Sequence, residues 1–222
     1  MEPQPAIPAP QLELGTHVKY WQKPNGEWAR TVDAISPRER EILSAFTADD
    51  LELLKRNPLS AMGFPATIEI RGEQINGAYM PVSGMGSVHV ATKRSRASFG
   101  NGWKPGAFGD GASWSVSGAA ATAEEAVKRT LIHEFGHHVH IIMGEPSDSV
   151  VNAAYASAMA NRTAITAYAT SNAKEYFAES FAAYRYYPDD LRRIDPGAFA
   201  MVEEVLRLHR TLPSKSEVVL SQ

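Results

Sequence analysis

Largely apolar residues recur at helical spacing between positions 122 and 144 and cover much of the circumference of the helix that they predict. They are Ala126, Val127, Thr130, Leu131, Phe135, Val139 and Ile142. Thr122 and Glu125 form a capping-box signature at the start of this helix, and Gly144 with Pro146 predicts its end. A helix of roughly 20 residues with so wide an apolar surface is expected to be buried.

The N-terminal part of the chain predicts a leader, an aromatic arm and two helices. Residues 1–11 contain four prolines and little to bury, so we expect an extended, poorly ordered leader. Three aromatic residues then surround the turn at 23–26 and predict a short hairpin or an ordered arm. A capping-box signature predicts a helix over 36–46, and Thr47 starts a second helix that ends near Asn57.

The hydrophobic period changes to that of β-strands after Pro65. Short strands are predicted over 67–71, 78–80 and 87–92, with glycines between them. His89 alternates with its apolar neighbours, which is typical of a side chain on one face of a sheet. Residues 98–118 combine six glycines with large aromatic residues that include Trp103, Phe108 and Trp114, and we interpret this long loop as a cleft wall, with a mobile surface loop as the alternative.

The C-terminal half predicts mainly helices. They run from Asp148 or Ser149 to about Asn161, from an Asn172 cap through Tyr184, and from about Pro196 to Arg210. Helices and strands in separate parts of the chain indicate an α+β fold. We expect a flexible leader at 1–11 and one domain over 12–222, with subdomains of about 12–121 and 122–222.

Composition excludes several classes of function and site. The chain has 222 residues and a net charge of −3, so no basic field favours nucleic acid or a membrane surface. Without cysteine, any metal site must use His, Glu, Asp or Tyr. No run has the length of a transmembrane helix, and the start lacks the features of a Sec signal peptide. A cytoplasmic location and export by a non-Sec route both stay open.

The buried helix carries the motif His133-Glu134-Phe135-Gly136-His137, which has the form His-Glu-x-x-His. Positions i and i+4 share one helix face, so the imidazoles of His133 and His137 can converge on one Zn²⁺ ion. Glu134 can reach a water molecule activated by the metal and act as general base. His138 and His140 project off this face and are expected to be structural or exposed.

Two histidines leave a catalytic zinc site one protein ligand short. The metzincin pattern would require glycine and histidine where the chain has His140 and Met143, so that solution is excluded. Glu175 and Glu179 lie one turn apart on a largely apolar helix, where carboxylates are costly unless they meet a cation or donors. Either of these carboxylates is a candidate third ligand.

The segment from Tyr168 to Phe181, downstream of the motif, resembles the catalytic domain of anthrax lethal factor and the related Pro-Pro endopeptidases, which are gluzincins. The resemblance covers about residues 124–187. It implies a zincin-like fold with a small mixed or antiparallel sheet packed on the metal-binding helix. It also implies that Glu175 is the third ligand and that Tyr168 stabilises the oxyanion.

Glu179 is then expected to accept a hydrogen bond from the other ring nitrogen of a ligand histidine. The reverse assignment, with Glu179 as the ligand and Glu175 outside it, is the alternative.

These expectations combine into a zinc-dependent endopeptidase that acts on an extended peptide or protein. We expect the strand over Gly86–Thr92 to form the sheet edge to which the substrate adds by main-chain hydrogen bonds. Two alternatives stay open. One is a catalytically silent, zinc-stabilised protein-binding module, and the other is a metal-dependent amidase acting on a non-peptide substrate.

Overall fold

The computed structural model describes residues 20–22, 28–30, 36–59, 61–82, 85–93 and 122–211, and within them the chain has the predicted α+β fold with a helical C-terminal half. The strands are β1 (Tyr20–Gln22), β2 (Trp28–Arg30), β3 (Ala61–Gly63), β4 (Ile68–Ile70), β5 (Glu73–Ile75), β6 (Gly77–Val82) and β7 (Met85–Val90). The helices are α1 (Pro37–Leu43), α2 (Ala48–Arg56), α3 (Ala123–Met143), α4 (Glu145–Asn161), α5 (Ala173–Tyr186), α6 (Pro188–Ile194) and α7 (Pro196–Thr211), with a 3₁₀ turn at Tyr168–Thr170.

Two predicted segments, the leader at 1–11 and the glycine-rich loop at 98–118, lie outside the described residues. None of the described helices is long and apolar enough to cross a membrane.

Capping side chains determine where the first two helices begin. The Ser36 hydroxyl accepts from the backbone N–H of Glu39, whose carboxylate accepts from the N–H of Ser36. Thr47 and Asp50 make the same exchange at the start of α2. Helix α1 ends before the predicted end at Phe46, because the backbone there changes to the shorter hydrogen-bond spacing of a 3₁₀ turn.

Strand β7 is the centre of a mixed three-stranded sheet. It pairs in parallel with β3 and antiparallel with β6. The prediction that Gly86–Thr92 forms a free sheet edge is therefore wrong. Alternation along a strand shows which of its faces is buried but not which strands lie beside it, and the short, unpredicted β3 has no periodic signal of its own. The edges of this sheet are β3 and β6.

Two hairpins accompany the sheet. The pairing of β1 with β2 confirms the hairpin predicted from the aromatic residues, and the residues of its turn lie outside the described ranges. Strands β4 and β5 pair through a turn in which Arg71 and Gly72 both have positive φ, of 54° and 82°. Positive φ at both central residues matches the twist of a tight hairpin. Strand β5 was not predicted, because only one of its three residues is apolar.

The metal-motif helix α3 has the predicted length and position. The Thr122 hydroxyl accepts from the N–H of Glu125, as expected, whereas the Glu125 carboxylate pairs with Arg129. Gly144 ends the helix with φ of 61°. Pro146 was predicted to help stop α3 but lies in the first turn of α4, which begins before the predicted Asp148 or Ser149. Proline is tolerated there because first-turn N–H groups have no partner within the helix.

Helix α3 lies between the sheet and the C-terminal helices. It packs on β6 and β7 on one side and on α4 and α5 on the other. The core around it is fully buried and includes Leu131, Ile132, Phe135, Phe177 and Phe181. Gly136 lies at the crossing with α5, where an added Cβ would be 3.1 Å from the Cα of Ala178. Glycine therefore lets the two helix backbones approach closely.

A buried ion pair joins α2 to α5. Arg185 Nη2 lies 2.6 Å from Oδ1 of Asp50, whose side chain is fully buried. The other carboxylate oxygen of Asp50 accepts from the N–H and the hydroxyl of Thr47. Both oxygens of this buried carboxylate are therefore paired, as a buried charge requires.

Candidate metal centre

Helix α3 brings its two motif histidines together, as the i, i+4 spacing predicts. The rings of His133 and His137 are 4.9 Å apart between centroids and nearly perpendicular. Ligand atoms from these histidines and from Glu134 all lie within 4.8 Å of one another, and all three residues are buried. This His-Glu-His group could hold a metal ion.

Helix α5 adds a carboxylate to the two imidazoles. The Asn172 side chain caps α5 as predicted by accepting from the N–H groups of Lys174 and Glu175. Glu175 then extends one oxygen, Oε2, to 3.2 Å from Nε2 of His133 and 3.3 Å from Nε2 of His137. Neighbouring donor atoms around a tetrahedral zinc ion, with bonds of about 2.0–2.1 Å, are roughly 3.3 Å apart. The measured separations fit such an ion.

Glu179 contacts His133 on the other side of its ring. Its Oε1 lies 2.8 Å from Nδ1 of His133, and its Oε2 accepts from the Thr166 hydroxyl at 2.8 Å. Thr166 in turn accepts from the N–H of Ala169 at 3.1 Å, in the 3₁₀ turn. When the ring is neutral, a carboxylate this close to Nδ1 favours the proton on that nitrogen and leaves the lone pair on Nε2, the atom that faces Glu175. Thr166 was not among the predicted site residues.

The close approach of these groups shifts their pKa values. Burial by itself lowers the pKa of His133, but its contacts with Glu175 and Glu179 raise that pKa well above the ordinary value. Burial raises the pKa of Glu175, and its contacts with the two histidines outweigh burial and lower the pKa far below normal. Without metal, the proton therefore resides on the imidazole of His133 and the charge on the carboxylate of Glu175.

The side chain of Glu134 extends from α3 toward Gly77, the first residue of β6. This side chain is buried, and burial raises its pKa while the neighbouring imidazoles of His133 and His137 lower it in part. A Cβ added to Gly77 would lie 2.4 Å from Oε1 of Glu134. The sequence indicated Gly77 only as a separator between strands, so this contact was not predicted. A glycine inside a strand is the signal that could have indicated a close approach.

Tyr168 lies at the solvent side of the group. Its ring is 6.0 Å from that of His133 and inclined by 29°, and the residue is 45% exposed. Burial of its hydroxyl raises the pKa of Tyr168, and the negative charges of Glu175 and Glu134 raise it further. The phenol therefore keeps its proton at neutral pH and can donate a hydrogen bond.

The remaining histidines of α3 are structural rather than exposed. His138 Nε2 lies 2.8 Å from the carbonyl of Asn57, and its Nδ1 lies 3.3 Å from the hydroxyl of Tyr79. His140 Nε2 lies 2.9 Å from Oδ1 of Asp148 in α4. His89 is buried on the sheet, with its Nδ1 2.8 Å from the position that a Cβ on Gly63 would occupy. The structural interpretation of these histidines is confirmed.

No protein-family model matches this chain, and neither the curated proteins nor the solved structures contain a match to it. The chemistry of the site is therefore inferred from its own residues.

Proposed function

We propose that the protein is a zinc-dependent endopeptidase whose metal ligands are His133, His137 and Glu175. One observation carries this proposal: a single oxygen of Glu175 lies 3.2 and 3.3 Å from the Nε2 atoms of both histidines. Two imidazoles and one carboxylate are a ligand set of catalytic zinc sites, in which a fourth position stays open. The absence of cysteine fits this set of nitrogen and oxygen donors.

In this proposal Glu134 is the general base. The chemistry supplied by zinc is Lewis acidity, which polarises the substrate carbonyl and makes a water molecule easier to deprotonate. Glu134 accepts a proton from the water whose oxygen forms the new bond to the carbonyl carbon. It then gives this proton to the amine nitrogen when the carbon–nitrogen bond breaks. Its burial beside the imidazoles holds the carboxylate close to the reacting atoms.

Tyr168 and Glu179 have supporting roles. The Tyr168 hydroxyl donates a hydrogen bond to the carbonyl oxygen as negative charge develops on it. Its raised pKa supports this role because the hydroxyl stays protonated. The Glu179 carboxylate, 2.8 Å from Nδ1 of His133, favours the proton of the neutral ring on that nitrogen and keeps the Nε2 lone pair directed at the metal position. The reverse assignment has less support, because Glu179 faces the nitrogen of His133 that points away from Glu175.

We infer that the substrate is an extended peptide and that it adds to β6. Asn76 and Ala91 lie opposite each other just beyond the paired residues of β6 and β7, and Ala91 donates its N–H to the carbonyl of Asn76. These two residues are therefore a hydrogen-bonded pair, and hydrogen-bonded and non-hydrogen-bonded pairs alternate from there along the two strands. By alternation, the N–H and C=O groups of Gly77 and Tyr79 point away from β7, and among the described strands none pairs with this edge. Pro81 has no N–H and ends the row of donors. The free edge begins beside Glu134.

The resemblance of 168–181 to lethal factor and the Pro-Pro endopeptidases supports the same conclusion. In this proposal the fold is zincin-like, with the three-stranded sheet on one side of α3 and the ligand-bearing α5 on the other. The resemblance covers only the part of the chain around the site, so it does not predict which peptide sequences the enzyme cleaves.

A digest of a proteome-derived peptide library tests this function. We expect the zinc-loaded chain to cleave a subset of peptides, and we expect no cleavage with a zinc chelator or with Glu134→Ala. The variant should still bind zinc, because Glu134 is not a proposed ligand. Zinc binding without cleavage of any peptide would instead indicate a binding module or an amidase for another substrate. Cleavage that persists in Glu134→Ala would overturn the assigned mechanism.

A further inference from the structure

Gly77 is a glycine whose backbone does not require glycine. Among the described glycines, positive φ occurs at Gly72 and Gly144 but not at Gly77. Gly77 is paired with Val90 as the first residue of β6, a position where most residues are tolerated. The reason for glycine must therefore be space rather than backbone conformation.

The space beside Gly77 is occupied by helix α3. A Cβ at this position would lie 2.4 Å from Oε1 and 2.8 Å from Cγ of Glu134, and 2.7 Å from Cγ2 of Thr130. Tyr79, two residues further along the same strand face, has its ring stacked on His137 at 6.3 Å. This face of β6 therefore lies directly against the part of α3 that carries the motif.

Of these two neighbours, Glu134 can move more easily than Thr130. The hydroxyl of Thr130 donates to the carbonyl of Ala126 at 2.9 Å, which fixes the rotamer of Thr130 and the place of its methyl group. The Glu134 carboxylate is the end of a flexible side chain. An ordinary contact begins at 3.4 Å, so a methyl group on residue 77 would displace Oε1 by about 1 Å.

We propose that Gly77 is a positioning residue for Glu134: the missing side chain leaves the space in which the carboxylate is held for proton transfer. The kinetic consequence rests on the proposed endopeptidase function, whereas the packing relationship does not. A displacement of about 1 Å at a catalytic group can cost roughly 100-fold in rate.

The kinetic test compares Gly77→Ala with Gly63→Ala in the full zinc-loaded chain. Gly63→Ala is a matched control, since its Cβ would also meet a side chain closely, at 2.8 Å from Nδ1 of His89. We expect Gly77→Ala to lower kcat roughly 100-fold, with KM and the zinc dissociation constant unchanged. Gly63→Ala should keep the wild-type kcat. A wild-type kcat in Gly77→Ala would overturn the proposal.

A second test needs no catalysis. The midpoint of denaturant unfolding is measured for Gly77→Ala in the wild-type and Glu134→Ala backgrounds, both without zinc. We expect a lower midpoint in the wild-type background and a clearly smaller loss in the Glu134→Ala background, where the contacts with Glu134 are gone and only the contact with Thr130 Cγ2 remains. An equal loss in both backgrounds would overturn the positioning role. If the wild type cleaves no peptide, the endopeptidase assignment fails and this test still decides the relationship between Gly77 and Glu134.

Discussion

Oε1 of Glu179 lies 2.8 Å from Nδ1 of His133, in a position from which solvent is fully excluded. The carboxylate and the ring come from two different helices, so this contact fixes the orientation of the imidazole relative to α5. The same ring presents its other nitrogen to Glu175 at 3.2 Å. The two ring nitrogens of His133 therefore each face one of the two acidic side chains of α5.

Replacing each carboxylate by its amide should separate their roles. We expect Glu179→Gln to weaken zinc binding about 10- to 100-fold, as for other residues that orient a metal ligand. Glu175→Gln should weaken it further, because it removes a charged ligand. Competition with a chromophoric chelator measures both affinities, and Glu203→Gln on the exposed side of α7 is the control. A larger loss for Glu179→Gln would reverse the two assignments.

Zinc binding should release a proton near neutral pH. Glu175 and Glu179 raise the pKa of His133, so the metal-free imidazole is protonated at pH values where a free histidine is neutral. A metal ligand must be neutral imidazole, and its affinity therefore falls as the pH decreases below the raised pKa. Calorimetry in buffers of different ionisation enthalpy counts the released protons. Proton release should decrease when the pH is raised above the pKa of His133. If zinc binding released no proton at neutral pH, the metal-free His133 ring would not be protonated there, which would contradict this prediction.

Removing the Tyr168 hydroxyl should affect turnover alone. We expect Tyr168→Phe to lower kcat about 100- to 1,000-fold, the usual cost of losing one oxyanion donor, with KM and zinc affinity unchanged. Tyr184→Phe removes a hydroxyl from a ring that packs on Phe199 and should leave kcat unchanged. Steady-state kinetics on a peptide identified in the library digest measures these effects. A Tyr168→Phe variant with normal kcat would show that the ring serves only for packing.

The fold itself should depend strongly on Asp50. Asp50→Ala leaves the guanidinium of Arg185 without its buried partner and removes the carboxylate that accepts from the N–H of the N-cap residue Thr47. Breaking a buried ion pair on one side costs about 3–5 kcal/mol. We expect a loss of this size in the free energy of unfolding by denaturant. Asp49→Ala, whose side chain is largely exposed, should have little effect. Equal losses for the two variants would contradict the importance of the pair.

Local signals in the sequence were sufficient to predict the two helices that carry the candidate site. The period of apolar residues and the Thr122 and Asn172 caps located α3 and α5, because these signals act within one helical turn. Once the two helices were located, the spacing of His133 and His137 put both side chains on one face.

Relationships between distant residues could not be predicted in this way. The order of the sheet places β7 in the centre, whereas the periodicity of its residues does not show which strands lie beside it. The contact of Gly77 with Glu134 joins residues far apart in the chain, and a single glycine has no pattern that identifies its neighbour. Helix α6 was not predicted because it is short, and two aspartates and two arginines occupy four of its seven positions in place of an apolar face.

Gly136 sits between the two histidines of the motif and also at the closest approach of α3 to α5, where an added Cβ would lie 3.1 Å from Ala178 Cα. A methyl group there would require α5, the helix that bears Glu175 and Glu179, to yield by a few tenths of an ångström. A substitution of Gly136 is therefore expected to change the packing of α3 on α5 and the reach of both acidic side chains together.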